Sequence, residues 1–517
     1  MNLTINDIII ACEGEAHVNP ADENSKVTSV VLDSRLVTEG GVFVAQKGEK
    51  VDGHSFIGQV FEKGAALVIA EMTPDAVERI FKKEAATENE ADTESAKWGN
   101  YIVVEDSLIA LKKIAKAYRE KLDIPFVGIT GSVGKTSTKE FIAGVLSEKY
   151  NVLKTEGNFN NEIGVPLTLL KIREEHEAAV VEMGISDFGE MTRLTEMVRP
   201  DIAVITNIGQ CHLENLKTRD GILKAKTEIF KGLRPGGRAV LFAEDDKLVT
   251  VGPVADSEPV FFGKKGCGKK LAVSIEKCED KGLFGSEAEL KLEYSGKTIA
   301  TGQDAETTGH GQDAEFAGQT IDVKVPLPGY HMVVNAAAAA AVSILMGLSA
   351  DQIKSGINNM KPISGRNSIV KAGDITLIDD CYNANPVSMK SSIDLLMLAK
   401  GEKIAILGDM FELGENEKQL HADVGEYAAE KGLDRLYCIG KLSENMFNSA
   451  SETFRKAGNT DGQTDRVRYW ETKESFREAL KADLKGPRKL IPQESSVLVK
   501  ASHGMHFEEI SSCIKEL

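Results

Sequence analysis

GITGSVGKTSTKE, residues 128–140, decides the fold. It follows an apolar run, Pro125-Phe126-Val127, and opens a helical pattern through Phe141, Val145 and Leu146. Strand, glycine-rich turn and helix start, in that order, make a phosphate cradle. In this reading the backbone N–H groups from Ser132 to Thr136 point at phosphate oxygens, and the helix dipole adds positive potential. Gly131 and Gly134 let the backbone approach without a Cβ in the way. Lys135 supplies charge for the β- and γ-phosphates, and the Thr136 hydroxyl is a ligand for Mg²⁺. The spacing departs from the strict Walker A pattern, because Ile129 stands where its first glycine belongs. The form present is Thr130-Gly131-Ser132-Val133-Gly134-Lys135-Thr136-Ser137. It points to a nucleoside triphosphate without saying which reaction; the bland alternative is a tight loop that binds nothing.

Outward from this stretch, strand and helix alternate. Strand-like segments are expected at 101–105, 125–130, 178–184, 202–208 and 238–243. Continuous apolar strands between helices predict a mainly parallel sheet covered on both faces, with nucleotide at the carboxyl ends of the strands. Residues 270–325 instead alternate in a β manner and contain a near-repeat, TGQDAE (301–306) and GQDAE (311–315), expected as a polar hairpin loop. Before the central region, strands are expected at 27–35, 40–48 and 66–71 with a helix over 52–65, closed by an acidic run at 82–100 that reads as a solvated loop. After it come an Ala-rich helix within 327–348, a candidate linker PISGRN at 362–367, and a third α/β unit with strands at 374–380, 403–410, 435–440, 467–470 and 496–501.

A length of 517 residues predicts two to four domains, and 42% hydrophobic residues suffice for several cores. Lys and Arg total 62 against 79 Asp and Glu, a net charge of −17, which argues against nucleic-acid binding through a broad basic face. Anionic substrates must then be held by placed cations, helix N-termini and metals. Seven scattered cysteines without a CxxC pair indicate neither a disulfide framework nor a zinc site. The start MNLTINDIII lacks a basic n-region and no segment is long and apolar enough for a membrane span, so a soluble cytoplasmic protein, off the membrane, is expected.

Several polar residues fall just beyond strand ends, where α/β folds build sites. Glu182 ends VVE at 180–182 and could reach Mg²⁺ directly or through water; His212 follows the next strand, as a metal ligand or as a hydrogen-bonded structural residue. GNFNNEIGVP (157–166) is either a ligand loop or turn chemistry. Lys224 and Lys226 share a helix at 221–230, and composition singles out neither. DDCYNANP (379–386), GDMFELG (408–414) and SHGMHFEEI (502–510) follow strands of the third unit.

Taken together, DSR (33–35), FVAQKGEKVDGHSFI (43–57), TGSVGKTS, GNFNNEIGVP, EMG, TNIGQCHLE, AKTEIF, GYHMVVNA, SGR (364–366), DDCYNANP, GDMFELG and VKASHGM resemble, in order and over nearly the whole chain, the Mur ligases, ATP-dependent amide-bond ligases of peptidoglycan precursor synthesis. The resemblance implies an α/β protein of three domains: an N-terminal UDP-substrate-binding domain (1–100), a central P-loop ATPase domain (101–363) and a C-terminal Rossmann-like ligase domain (364–517). NFNNEIGVP, DDCYNANP and GDMFELG are most similar to the members that join D-alanyl-D-alanine to UDP-N-acetylmuramoyl-tripeptide; no DNPR motif of the sibling that adds a third amino acid is present. The implied alternatives are a sibling ligase, a folylpolyglutamate-type synthetase, or a P-loop switch that makes no amide.

By matched position the resemblance implies that Lys135 and Thr136 bind ATP and Mg²⁺, that Glu182 and His212 serve two metal ions, and that Lys226, by its spacing to Phe230, is carbamylated to hold the second. It implies Asn335 at the adenine, Arg366 and Asp380 on ATP, Ser34 and Arg35 at the UDP end, Asn158, Asn160 and Asn161 along the muramoyl-peptide channel, and Asn383, Asn385 and Pro386 at the dipeptide. A monomer is expected. Three positions depart from the family pattern: Phe242 for an asparagine near the adenine, where a ring could stack on the base; Cys381 for a serine; and His503 for an arginine.

Overall fold

The computed structural model describes residues 1–48, 51–85, 98–299, 311–361, 368–456, 466–483 and 489–516. The candidate linker with Arg366, the first copy of the near-repeat and most of the acidic run lie outside the described residues.

Three sheets organise the described residues. The central one has nine strands, and the P-loop strand Phe126–Thr130 lies inside it, flanked in parallel by Ala178–Glu182 and Ile202–Ile205. Every residue of these three strands is buried, as near-continuous apolar runs covered on both faces require. Parallel pairing continues through Arg238–Phe242 and Val260–Lys264 to Leu271–Asp280. Two antiparallel strands, Ser286–Lys297 and Asp313–Val325, then extend the edge. Residues 313–315 of the second near-repeat copy are strand, so that copy is not the loop expected; the alternation of exposed and half-buried side chains carries it into the ladder.

The first sheet orders Glu15–His17, Tyr101–Val103, Leu67–Ala70, Val42–Val44 and Val30–Val31. The strand at Tyr101, read from the sequence as the first of the central series, belongs here instead: it pairs in parallel with Leu67–Ala70 and antiparallel with Glu15–His17. The expected strand at 27–35 shrinks to Val30–Val31, because Asp33 accepts the Arg35 N–H and caps a 3₁₀ turn over Ser34–Leu36. The third sheet has five parallel strands and one antiparallel edge, Ser368–Ala372, a strand the sequence reading lacks.

Two helices position the centre. The Ala-rich helix Tyr330–Leu345 is buried from Asn335 to Leu345 and shares one core with Phe141, Ile142, Val145 and Leu146 of the P-loop helix Lys135–Leu146. The helix Ser107–Glu120 is pinned by Arg119, whose guanidinium donates to the carbonyls of Val198, Leu122 and Arg199 and stacks 3.7 Å over the Phe126 ring. Burial pulls the Arg119 pKa down to about 10, so it stays charged at neutral pH, offset by its three carbonyl acceptors and by the Asp201 carboxylate 4.0 Å away.

Alanine lets the Tyr330–Leu345 helix approach its neighbours closely, so enlarging one alanine should cost about 1–3 kcal/mol through overpacking. Ala339→Leu, at a fully buried site, is expected to lower the denaturation midpoint accordingly in urea titration; an unchanged midpoint would show slack in this layer.

Candidate active site

The P-loop turns on two glycines, Gly131 at φ +149° and Gly134 at φ +81°. Gly134 is the N-cap of Lys135–Leu146 and gives no side-chain cap, so the first amides of that helix keep no side-chain partner there. The amides at the start of the loop differ from the sequence expectation. Ser132 N–H donates to the Asn207 carbonyl and Val133 N–H to Asn207 Oδ1, both at 3.0 Å, so these two are spent on holding the loop and the anion-facing set begins at Gly134. Lys135 Nζ donates to the Gly131 carbonyl at 2.8 Å.

Glu182 is the buried anion behind the loop. Its Oε2 accepts from the Thr136 hydroxyl and its Oε1 from Asn160 Nδ2, both at 2.8 Å. Its own N–H donates to Thr155 Oγ1. Lys139, also buried, lies 3.9 Å from Glu182, 3.1 Å from Glu140, and donates to the Thr155 carbonyl. A hydroxyl and a carboxylate in contact are the donor set for Mg²⁺, which takes few protein oxygens and fills its shell with phosphate and water. Among the described residues no group of three or more His, Cys, Asp or Glu side chains forms an all-protein cage. The residues fit an Mg²⁺ that arrives with a nucleotide.

Around the loop opens a cavity of about 920 Å³. Its lining includes P-loop residues 132–138, Asn158, Asn160 and Asn161, Glu182, His212 and Asn335, together with Asp380, Asn383 and Asn385 of the third unit. Asn161 Oδ1 accepts from Ile163 and Gly164 N–H at the start of Gly164–Leu169, and Asn385 caps Pro386–Met397 in a capping box with Ser388. Asn335 Oδ1 accepts from Thr138 at 3.0 Å. Phe242 stacks on Phe262 with centroids 5.6 Å apart, and both rings line the cavity beside Tyr330. Ser34 and Arg35 are not among the lining residues; Arg35 is exposed and pairs with Asp33 at 2.6 Å.

His212, at φ +51°, places Nδ1 2.7 Å from Glu412 Oε2 of the third unit, an ion-pair contact off the hydrogen-bonding direction. The imidazole holds the Glu412 carboxyl below its ordinary range. Lys226 and Lys224 separate clearly: Lys224 is exposed with its ammonium 5.8 Å from the Phe188 ring, whereas the Lys226 side chain is buried and makes no hydrogen bond or ion pair among the described residues. Burial lowers the Lys226 pKa to about 8. Of the departures, Cys381 is buried and its thiol contacts Asp379 Oδ1 at 3.0 Å, while His503 is exposed, 5.5 Å from the Tyr382 ring.

Three residues of this centre were not singled out from sequence. Asn207 follows a strand inside TNIGQCHLE; Lys139 stands one helical turn after Lys135; Lys500 ends SVLVK. Lys500 Nζ bonds Asp380 Oδ2 at 2.5 Å and the Asn383 carbonyl at 3.0 Å, and lines the cavity. Its signal was a lysine at the end of a fully buried strand, where a charge needs a partner.

A three-domain α/β chain with a P-loop at the bottom of a shared cleft defines an ATP-using class of enzyme, and comparison with known proteins gives the family. Residues 26–119 match the Mur ligase family catalytic domain, 129–343 the Mur ligase middle domain, and 365–503 the Mur ligase glutamate ligase domain. UDP-N-acetylmuramoyl-tripeptide–D-alanyl-D-alanine ligase of Bacillus subtilis (strain 168) is 34% identical over 496 residues, 95% of this chain and 94% of that protein. Among solved structures, UDP-N-acetylmuramoylalanyl-D-glutamyl-2,6-diaminopimelate–D-alanyl-D-alanyl ligase of Acinetobacter baumannii superposes with a TM-score of 0.74 at 28% identity, covering 99% of this chain and 98% of that one. MurF ligase of Thermotoga maritima in complex with ADP gives 0.71 at 26%, covering 95% and 97%. The chain belongs to the Mur ligase family.

At Gly131 a Cβ would run into the Thr206 hydroxyl, at a φ that side chains rarely adopt. Gly131→Ala should abolish detectable ATP binding in calorimetry; retained affinity would mean that the loop is not the phosphate cradle.

Proposed function

We propose that this chain is an ATP-dependent, ADP-forming ligase that joins D-alanyl-D-alanine to UDP-N-acetylmuramoyl-tripeptide in peptidoglycan precursor synthesis. The observation that carries the reading is the meeting of the P-loop, an asparagine loop and the strand ends of the third unit in one cavity. Ligation of three reactants needs that arrangement: a phosphoryl donor below, the peptide carboxylate that accepts the phosphoryl group at one flank and an amine at the other. The name and coverage of the B. subtilis relative support the same substrates.

In this reading the peptide's terminal carboxylate attacks the γ-phosphorus, ADP leaves, and an acyl phosphate forms. The dipeptide amine then attacks the acyl carbon, loses a proton, and phosphate departs with formation of the amide. Lys135 exchanges the Gly131 carbonyl for phosphate oxygens, and the free amides from Gly134 onward take the rest. Thr136 and Glu182 would hold one Mg²⁺, with His212 and a carbamylated Lys226 serving a second; bound there, the ions offset repulsion between a carboxylate and a polyanion. An amine with a lowered pKa is closer to the neutral form that adds CO₂, and the carbamate is an anionic oxygen ligand.

Asn335 and the Phe242 ring would take the adenine, and Arg366 and Asp380 contact ATP from the third unit. Asn158, Asn160 and Asn161 would lie along the muramoyl peptide, Asn383 and Asn385 at the dipeptide, and Ser34 and Arg35 at the UDP end, in a first unit extended through Val103. Closure of the third unit over the P-loop would exclude the water that hydrolyses acyl phosphates. The enzyme acts as a cytoplasmic monomer in this reading; no helix among the described residues is long and apolar enough to cross a membrane.

Phosphate release from ATP with Mg²⁺ and the UDP-tripeptide should depend on D-alanyl-D-alanine. Release with a single amino acid and a shorter peptide would move the chain to a sibling activity, and release with neither would leave only an ATPase. Lys135→Ala should lower turnover by about 100-fold or more, the scale of a lost transition-state charge contact. Lys226→Ala should lose activity and regain part of it with a short-chain carboxylic acid; full activity without the additive would remove Lys226 from the mechanism.

A further inference from the structure

The same cavity carries a group of charges with no part in the chemistry above. Lys112, on the helix Ser107–Glu120, lies 3.2 Å from Glu162 Oε1, and both side chains line the cavity. Behind Glu162 stands Arg193, outside the lining, with Nε 2.5 Å from Oε1 and Nη2 3.3 Å from Oε2. Arg193 first and Lys112 second hold the Glu162 carboxyl below its ordinary range. The nearby Glu190 and Glu228 are occupied by local caps, Glu190 with the Ser186 and Asp187 N–H groups and Glu228 with the Gly189 N–H and the Thr192 hydroxyl. Two cations therefore meet one carboxylate, with Lys112 and Glu162 facing the ligand space.

The position of this group is fixed from three directions. Arg119 pins the far end of the Lys112 helix, and Leu108, one turn before Lys112, lines the same cavity. Two residues before Glu162, Asn160 is tied to Glu182 behind the P-loop; directly before it, Asn161 caps the next helix. Glu162 is thus held at a set offset from the carboxylate that neighbours the triphosphate cradle. In the ligase reading, a peptide whose terminal carboxyl reaches Lys135 shares its cavity with Lys112 and Glu162.

We propose that Lys112 and Glu162, the latter braced by Arg193, select the side chain of the last residue of the acceptor peptide and favour one ending in both an ammonium and a carboxylate. An ammonium alone finds Glu162 already shared by two cations and gains little. A terminal carboxylate instead takes over Lys112, and the ammonium beside it takes the vacated face of Glu162, so both new pairs are charge-assisted. The 2,6-diaminopimelate residue in the name of the A. baumannii relative has this end group; a lysine residue lacks the carboxylate. The inference rests on the ligase reading and adds which acceptor that ligase prefers.

The test measures D-alanyl-D-alanine-dependent phosphate release with two UDP-tripeptides that differ only in diaminopimelate or lysine at the last position. Wild type should favour the diaminopimelate peptide by about tenfold or more in kcat/KM, chiefly through KM, a difference worth about 1.4 kcal/mol. Lys112→Met, which keeps the aliphatic stem, should bring the ratio towards one, and Lys112→Arg should restore most of it. Glu162→Gln should also reduce the ratio, which keeps the test open if the methionine variant folds poorly. Equal efficiency of the two peptides with wild type would overturn the assignment and leave the ligase reading intact. Equal losses on both peptides in Lys112→Met would place Lys112 against the D-glutamyl carboxylate that they share, and would overturn it as well. Dipeptide-dependent release with neither peptide would bring down the ligase reading and the assignment together.

Discussion

A carboxylate buried to 1% exposure cannot stand alone in a protein interior, and Glu182 shows what its neutralisation demands. The Thr136 hydroxyl and the Asn160 amide each bond one oxygen, and Lys139 brings a buried ammonium within 3.9 Å. Those partners come from the P-loop helix and the asparagine loop, and Glu182 itself ends a strand adjacent to the P-loop strand. One anion thus registers the phosphate cradle, the acceptor loop and the sheet against each other. Removing any one partner leaves a charge unpaid for in low dielectric, so the elements are held together by a cost as much as by an attraction.

The same logic explains what could be read in the sequence. The central strands were legible because each is a short apolar run between turn residues, and the P-loop because glycine, lysine and threonine at that spacing have a single joint use. The rim position of Glu182 and His212 followed from strand ends. Lys139 and Asn207 escaped because their partners, Glu182 and the Ser132–Val133 amides, are distant in the chain, and only the fold supplies them. The strand at Tyr101 was given to the wrong sheet for a related reason: an apolar run declares that it is a strand, but its neighbours are set by Glu15–His17 and Leu67–Ala70. Burial made the distinction between Lys224 and Lys226 that periodicity did not.

Some residues that a sequence motif presents as ligand-facing have local duties. Asn161 and Asn385 spend their side-chain oxygens on helix starts, and the Asn335 oxygen is taken by Thr138. What remains to Asn161 and Asn385 for recognition is the donor half of the amide, whereas Asn335 Nδ2 already gives one N–H to the Met332 sulfur at 3.6 Å and keeps the other. An amide whose oxygen is fixed by the scaffold presents its NH₂ in one direction, so the capping bond orients a donor and does not compete with a binding role.

The net charge of −17 sharpens the question of how this chain holds a triphosphate and a peptide with carboxylates. Its long-range field opposes their approach, so binding depends on short-range cations that are already partly desolvated and directed. Lys135, Lys112 and Lys500 all line one cavity, and each is engaged with an acceptor of the chain itself: a carbonyl for Lys135, Glu162 for Lys112, Asp380 and a carbonyl for Lys500. A cation parked on an internal acceptor has already lost part of its side-chain entropy and hydration, and an arriving anion exchanges with a neighbour at hydrogen-bonding distance. The internal acceptors lower raw affinity and raise selectivity, because only a ligand that satisfies the displaced partner as well as the cation gains from the exchange.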